Sequence, residues 1–239
     1  MKKFLQFLLP FLMIGCTAAH SWDSKTFENF KNETPKVLII GAAGSVAREA
    51  TNGFLQATNA NLRLFLRNSK RLESVQKTNP NRVELFEGDA TNLESLTTAM
   101  RGVSVVYANL AGRNLGEMAG QIITAMKAAG VARLIWVGSY GVYDGEIPES
   151  EMDRIRAYNP PHRQAVAAIE KSDLNYTIIR AEWFSGKDEI DYELTQKGEP
   201  FKNPSAYISR KSIAHLVIRL CLEKNFGNRS SLGINKPEK

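Results

Sequence analysis

The chain has 239 residues, 43% hydrophobic and 23% charged, which excludes a disordered or collagen-like polymer and suits one or two globular domains. Its 31 Lys and Arg against 25 Asp and Glu leave a formal charge of +6, and Lys2 and Lys3 belong to a targeting-type segment, so the excess on the folded part is smaller still. Basic residues are scattered among acids and amides with no stripe or block, so no nucleic-acid partner is expected. The two cysteines, Cys16 and Cys221, cannot build a disulfide framework, and neither is spaced with His20, His162 or His215 as a metal ligand. No metal site is expected, and Cys221, inside the apolar run Leu216 to Leu222, reads as a small core residue.

Met1-Lys2-Lys3, the apolar stretch Phe4 to Gly15 and the small residues Thr17-Ala18-Ala19 have the layout of a secretory leader over residues 1–19. The stretch is too short, and too broken by Pro10, to be a stable membrane span. Met13-Ile14-Gly15-Cys16 also resembles a bacterial lipobox, which would make Cys16 a lipid-modified first residue. The expected destination is export or a lipid anchor at the cell membrane, with membrane contact only through this leader. The alternative is a start at Met13 and a cytoplasmic protein. Residues 20–35 read as a tether, and residues 36–239 as one domain.

From Lys36 onward, short β-branched runs alternate with longer stretches of helical apolar spacing, the mark of βαβ units and a mostly parallel sheet. Strands are predicted at Val37 to Ile40, Leu62 to Leu66, Val83 to Phe86, Val103 to Tyr107, Leu134 to Val137 and Tyr176 to Ile179, with a short last one near Leu232 to Ile234. Helices are predicted over Val46 to Ala57, Lys70 to Lys77, Leu93 to Met100, Met118 to Ala129, Arg163 to Lys171 and Lys211 to Leu222. Gly130 suits the left-handed position that ends the fourth helix. The fold class is therefore α/β, a doubly wound parallel sheet, with a small C-terminal substrate cap, Trp183 to Tyr207, before the last helix.

Gly41-Ala42-Ala43-Gly44-Ser45-Val46-Ala47 follows the first strand and opens the first helix. In that context Gly41 permits a tight turn, Gly44 lets backbone N–H groups approach a pyrophosphate at a helix N-terminus, and Ala47 provides close helix–strand packing. An NAD site wants a carboxylate at the end of the second strand, about 20 residues beyond the glycines. Here that strand runs out as Leu66-Arg67-Asn68-Ser69-Lys70-Arg71, with no acid before Glu73. A 2′-phosphate carries a charge of about −2, and the Arg67 guanidinium could take it bidentately. The cofactor is read as NADP, with NADPH preferred over NADH. Lys70 and Arg71 either assist from the following loop or form a solvated helix start.

These residues resemble the atypical short-chain dehydrogenase/reductase superfamily, and within it the NmrA-like and NAD(P)H-binding proteins, over roughly Lys36 to Ile234. Besides the glycine turn and Arg67, the resemblance rests on Gly88-Asp89-Ala90, Ala108-Asn109-Leu110-Ala111-Gly112, Val137-Gly138-Ser139 and Tyr176-Thr177-Ile178-Ile179-Arg180. It implies a Rossmann-type fold in which Gly41, Ala43, Gly44, Ser45, Val46 and Arg67 hold the cofactor's phosphates. It further implies that Asp89 accepts from the adenine amino group with Ala90 behind the ring, and that Asn109 and Ala111 line the path to the nicotinamide. Ser139 stands at the family's catalytic serine, with Tyr143 marking the loop beyond it.

The family's Tyr-x-x-x-Lys pair has only Tyr158-Asn159-Pro160-Pro161-His162 as its counterpart here. A neutral His162 could bond a ribose hydroxyl but would not lower the pKa of a phenol whose reference value is about 10. The two prolines are expected to forbid the helix that normally spaces the pair, and Arg163 is a candidate for the missing charge. The family's Arg-Pro reads Arg180-Ala181 here; Arg180 and Glu182 either face the substrate pocket with Trp183 and Phe184 or pair with each other. Tyr207-Ile208-Ser209-Arg210 resembles the segment that caps the cleft, with Ser209 a candidate helix N-cap. The reading that follows is an NADPH-dependent reductase of a small carbonyl, quinone or flavin-like acceptor. The alternatives are a non-catalytic NADP(H)-binding redox sensor or assembly factor, and an exported protein that keeps the fold without the cofactor.

Overall fold

Val37, Leu38, Ile39 and Ile40 are all fully buried, with alternate side chains entering two different cores. A strand reads as a continuous apolar run when both faces are covered, and this one, β1 (Lys36–Ile40), is the axis of the molecule. The computed structural model describes Trp22 and residues 27–238; the leader read at residues 1–19 lies outside the described residues. No helix among the described residues is long and apolar enough to cross a membrane.

In chain order, β1 is followed by α1 (Ser45–Ala57), β2 (Asn61–Leu66), a short 3-10 turn and α2 (Glu73–Thr78), β3 (Val83–Glu87), α3 (Leu93–Ala99), β4 (Val105–Ala108), α4 (Leu115–Ala129) and β5 (Arg133–Ser139). Then come α5 (Glu149–Ile155), α6 (Asn159–Glu170), β6 (Asn175–Ala181), β7 (Trp183–Ser185), β8 (Glu193–Thr195), β9 (Tyr207–Ser209), α7 (Arg210–Leu222) and β10 (Ser230–Asn235). The large sheet has the order β3-β2-β1-β4-β5-β6-β10-β8, parallel through β10, with β8 antiparallel at the edge. β1 pairs on one side with β2 (Ile40 opposite Phe65) and on the other with β4 (Ile40 opposite Ala108). The order therefore reverses between β1 and β4, and the crevice beyond their carboxyl ends is where such sheets bind ligands.

Helices α1 and α7 cover one face with Val37 and Ile39; α3, α4 and α6 cover the other with Leu38 and Ile40. Gly130 ends α4 at φ +69, and Ser209 caps α7 by accepting the Ser212 N–H at 2.9 Å. Cys221 is buried, with no disulfide partner among the described residues, its thiol pushed up to about 12 by burial.

The structure departs from expectation in four places. The stretch read as a tether contributes Trp22 and Phe27 to the core at 5% and 1% exposure. The Trp22 backbone N–H donates to Gln56 of α1 at 3.0 Å, and both rings pack on His215 of α7. Its polar residues dominate the count, but its aromatics find an apolar groove between two helices. Helix α6 begins at Asn159 rather than Arg163, because Pro160 and Pro161 occupy the first turn, where no intrahelical N–H is needed and a fixed φ is already helical. The prolines therefore open that helix and do not forbid it. Helix α5 was not expected. In the expected cap region β7 and β9 form a two-stranded parallel sheet, while β8 completes the main sheet beside β10.

Arg180 neither faces the pocket nor pairs with Glu182. It is fully buried and ion-paired with Glu146, itself 1% exposed. Glu146 also accepts the Gly198 N–H at 2.8 Å, and the guanidinium lies over the rings of Tyr143 and Phe201 at 5.4 and 5.3 Å. Removing one partner of a buried pair strands the other charge, which costs about 3–5 kcal/mol. Arg180→Ala is expected to lose that much in urea unfolding, and Arg180→Met combined with Glu146→Leu to recover most of it.

Candidate functional site

The turn after β1 is shaped by a near collision. Gly41 has φ +77, and a Cβ there would sit 2.2 Å from the Asn109 carbonyl oxygen; one on Gly44 would sit 2.3 Å from Asn109 Nδ2. Both glycines are thus demanded by the loop after β4, where Asn109 donates its N–H to the Ile40 carbonyl at 2.9 Å. Expectation assigned the Gly44 clearance to an approaching ligand; the protein's own Asn109 takes up much of it.

Gly41 and Ala42 N–H groups donate to the Phe65 carbonyl at 3.0 and 3.2 Å, and Gly44 N–H to the Gly41 carbonyl at 2.9 Å. Those of Ala43, Ser45 and Val46 find no acceptor among the described residues, so they remain free for an anion at the positive end of α1. Ala47 is fully buried against the strand.

A cavity of about 780 Å³ runs from this turn along the carboxyl ends of β1 to β4, with Arg67, Arg71, Asp89, Ala90, Asn109 and Ala111 in its wall. Arg67 is exposed at the end of β2. Asp89 accepts from the Thr91 N–H and hydroxyl at 2.9 and 2.8 Å. Those bonds, with Arg67 adding its charge, hold its carboxyl below the usual range. One oxygen of Asp89 is thus spent on the turn it stands in. Glu87, at the end of β3, is occupied by the Ser69 N–H and hydroxyl.

A second cavity, of about 520 Å³, holds Ser139, Tyr158 and His162 together with Glu182, Trp183 and Phe184. Gly44, Asn109, Leu110 and Ala111 line both cavities, so the two meet at the start of α1. Tyr158 is the residue before α6 and 69% exposed; His162 follows one turn later. Burial lowers the His162 pKa, which keeps the ring neutral at neutral pH, and its buried Nδ1 has no partner among the described residues. Arg163 does not supply the missing charge. It donates to the Gly141 carbonyl at 3.0 Å and pairs with Asp144 at 2.8 Å, away from this cavity. Tyr143 also turns away, its hydroxyl bonded to Glu170 at 2.7 Å.

Of two further wall residues, sequence reasoning passed over Tyr140 and offered Glu182 as facing the pocket with Trp183 and Phe184, where the structure has it. Tyr140 is buried with its hydroxyl on Glu151 at 2.8 Å. Glu182 is 2% exposed; one oxygen accepts the Lys236 N–H at 3.3 Å and the other has no partner among the described residues. Burial pushes its carboxyl up to about 8, against the Lys236 N–H and with help from Glu151, so it is uncharged at neutral pH.

A glycine turn with free amides, a guanidinium beyond β2 and an adjoining apolar chamber fit a diphosphate-bearing dinucleotide. The NAD(P)H-binding family profile matches residues 41–224. The chain belongs to that family. That places it among the atypical short-chain dehydrogenase/reductases of NmrA-like type. A Rossmann-fold NAD(P)-binding protein from Shigella flexneri is 36% identical with a TM-score of 0.73, over 86% of this chain and 95% of that one. A wide-type short-chain dehydrogenase/reductase from Veillonella parvula, solved with NADP, is 27% identical with a TM-score of 0.77, over 85% and 95%. Among curated relatives, an isoflavone reductase homologue of Nicotiana tabacum is 24% identical over 64% of this chain and 50% of its own length, and the isoflavone reductase of Glycine max is 28% identical over 82% and 68%. The chain thus spans about half the length of the first of these and two thirds of the second.

An unfolded chain releases the Glu182 proton near 4.5, whereas the folded NAD(P)H-binding protein keeps it up to about 8. Stability contributed by the neutral form therefore falls as pH rises through that window. Glu182→Gln is expected to flatten the fall, raising Tm at the alkaline end and changing it little at the acidic end. Thermal melts from about pH 5 to about pH 9 check this.

Proposed function

We propose that the protein is an NADPH-dependent reductase acting on a small carbonyl, quinone or flavin-like acceptor. The observation that carries the reading is the junction of the two cavities at Gly44, Asn109, Leu110 and Ala111, which sets a phosphate-binding end and an apolar reaction chamber side by side. In this reading the free N–H groups of Ala43, Ser45 and Val46 bind the diphosphate. Arg67, assisted by Arg71, takes the 2′-phosphate. Asp89 offers its remaining oxygen to the adenine amino group over Ala90. When bound, NADPH supplies a hydride.

In the chamber, neutral His162 holds a ribose hydroxyl. Ser139 and Tyr158 hydrogen-bond the acceptor's oxygen, while Trp183 and Phe184 keep water from it. No lysine or arginine among the described residues lines this chamber, so the fixed charge that accompanies the tyrosine of the family pair has no counterpart there. That favours acceptors for which orientation matters more than an acid. The same feature supports a second reading, a redox sensor that binds NADP(H) without turnover.

Two measurements test these statements. Arg67→Glu is expected to weaken NADPH binding by about tenfold to a hundredfold, the worth of a charge-assisted bidentate contact, with NADH binding little changed. Unchanged preference for NADPH would remove the assignment of Arg67. The purified protein is expected to consume NADPH with a member of a quinone, flavin and aldehyde panel, followed by loss of absorbance of the reduced nicotinamide. Tight binding with no consumption across that panel would replace the reductase by the sensor.

A further inference from the structure

The first residue of α7, Arg210, reaches across the molecule to the first residue of α1, from which it is 165 positions distant, donating from Nε to the Ser45 hydroxyl at 3.0 Å. Its guanidinium lies over the Phe184 ring at 5.9 Å and near Gly186 of the cap. Neighbouring cations are matched: Lys211 by Asp188, Lys236 by Glu189 and Asp191, Arg154 by Glu151. Arg210 has no carboxylate partner among the described residues.

Its position is electrostatically costly. A helix N-terminus carries partial positive charge and disfavours a cation, yet Arg210 stands at the start of its own helix and touches the start of α1. Two positive helix ends and a guanidinium converge where the Ala43, Ser45 and Val46 N–H groups are also free. An anion bound among them would remove the repulsion and complete the donor set.

We propose that Arg210 is a second anchor for the cofactor's diphosphate, delivered by the start of α7 beside the cap rather than by the glycine turn. The proposal rests on the cofactor reading above and divides the labour within it. Arg67 distinguishes the 2′-phosphorylated nucleotide from the plain one. Arg210 contributes affinity for both, because both carry the diphosphate. Since it also lies over Phe184, which lines the reaction chamber, the cap is held against α1 most firmly when the diphosphate is present.

The test is equilibrium binding of NADPH, NADH and adenosine 2′-monophosphate to the full chain by titration calorimetry, with no turnover required. Arg210→Ala is expected to weaken NADPH and NADH alike, by about tenfold or more, leaving their ratio and the affinity for adenosine 2′-monophosphate as in the parent protein. Arg210→Gln, which keeps a donor for Ser45 but no charge, is expected to do the same and serves if the alanine variant does not fold. Arg210→Lys should recover part of the loss. If the parent protein binds NADPH and both neutral variants stay within about twofold of it, the anchor is overturned and the cofactor reading stands. A loss confined to NADPH would also overturn it, by moving Arg210 to the 2′-phosphate. If the parent protein binds no nucleotide, both readings fall together.

Discussion

The contact between the turn after β1 and the loop after β4 governs the layout of the site. Asn109 lies so close to Gly41 and Gly44 that neither could carry a side chain without displacing it, and its backbone N–H is tied to Ile40 at the end of β1. Those constraints hold the start of α1 over the point where the sheet changes direction. They leave amides 43, 45 and 46 facing outward, and they bring the two cavities to a shared border. A change in that contact would move the helix terminus, the phosphate-binding edge and the mouth of the reaction chamber together, since packed interiors transmit displacement and do not absorb it.

The far side of the sheet is organised by a different interaction. Arg180, near the end of β6, is turned inward by Glu146 and enclosed by Tyr143 and Phe201. Its Nη2 approaches the carbonyls of Thr195 and Ser231 at 3.4 and 3.3 Å, so one guanidinium links β6 to its neighbour β10 and to the edge strand β8. Diverting this charge into the core leaves the chamber wall without a cation on that side. The same is true of Arg163, spent on Asp144 and the Gly141 carbonyl. A chamber with a neutral imidazole and an uncharged buried carboxyl is a poor place to develop an oxyanion by proton transfer from a phenol.

Much of this was legible in the residues. The succession of strands and helices along the chain, both glycines, the left-handed Gly130, the Ser209 cap and the buried Cys221 follow from turn chemistry and apolar periodicity, which act over a few neighbouring positions. The grouping of Ser139, Tyr158 and His162 around one cavity was legible through the family pattern, because each sits at a fixed offset from a strand end or helix start. Less legible were Trp22 and Phe27, whose surroundings are polar in sequence but whose partners lie on α1 and α7. The start of α6 was misjudged because proline is hostile to a helix interior and acceptable in its first turn, a distinction that depends on where the helix begins.

By itself, then, the sequence determined a parallel α/β sheet with a phosphate-binding turn at the head of its first helix and an arginine in place of an acid beyond the second strand. Only the tertiary structure decided which charges meet: Arg180 with Glu146, Arg163 with Asp144, Arg210 with Ser45, and Glu182, among the described residues, with a backbone amide alone. The reason is physical. Conformational preference is set by nearest neighbours along the chain, whereas the partner of a buried or half-buried charge is whichever segment the packing of the layers brings within reach, and that is written in no single stretch of residues.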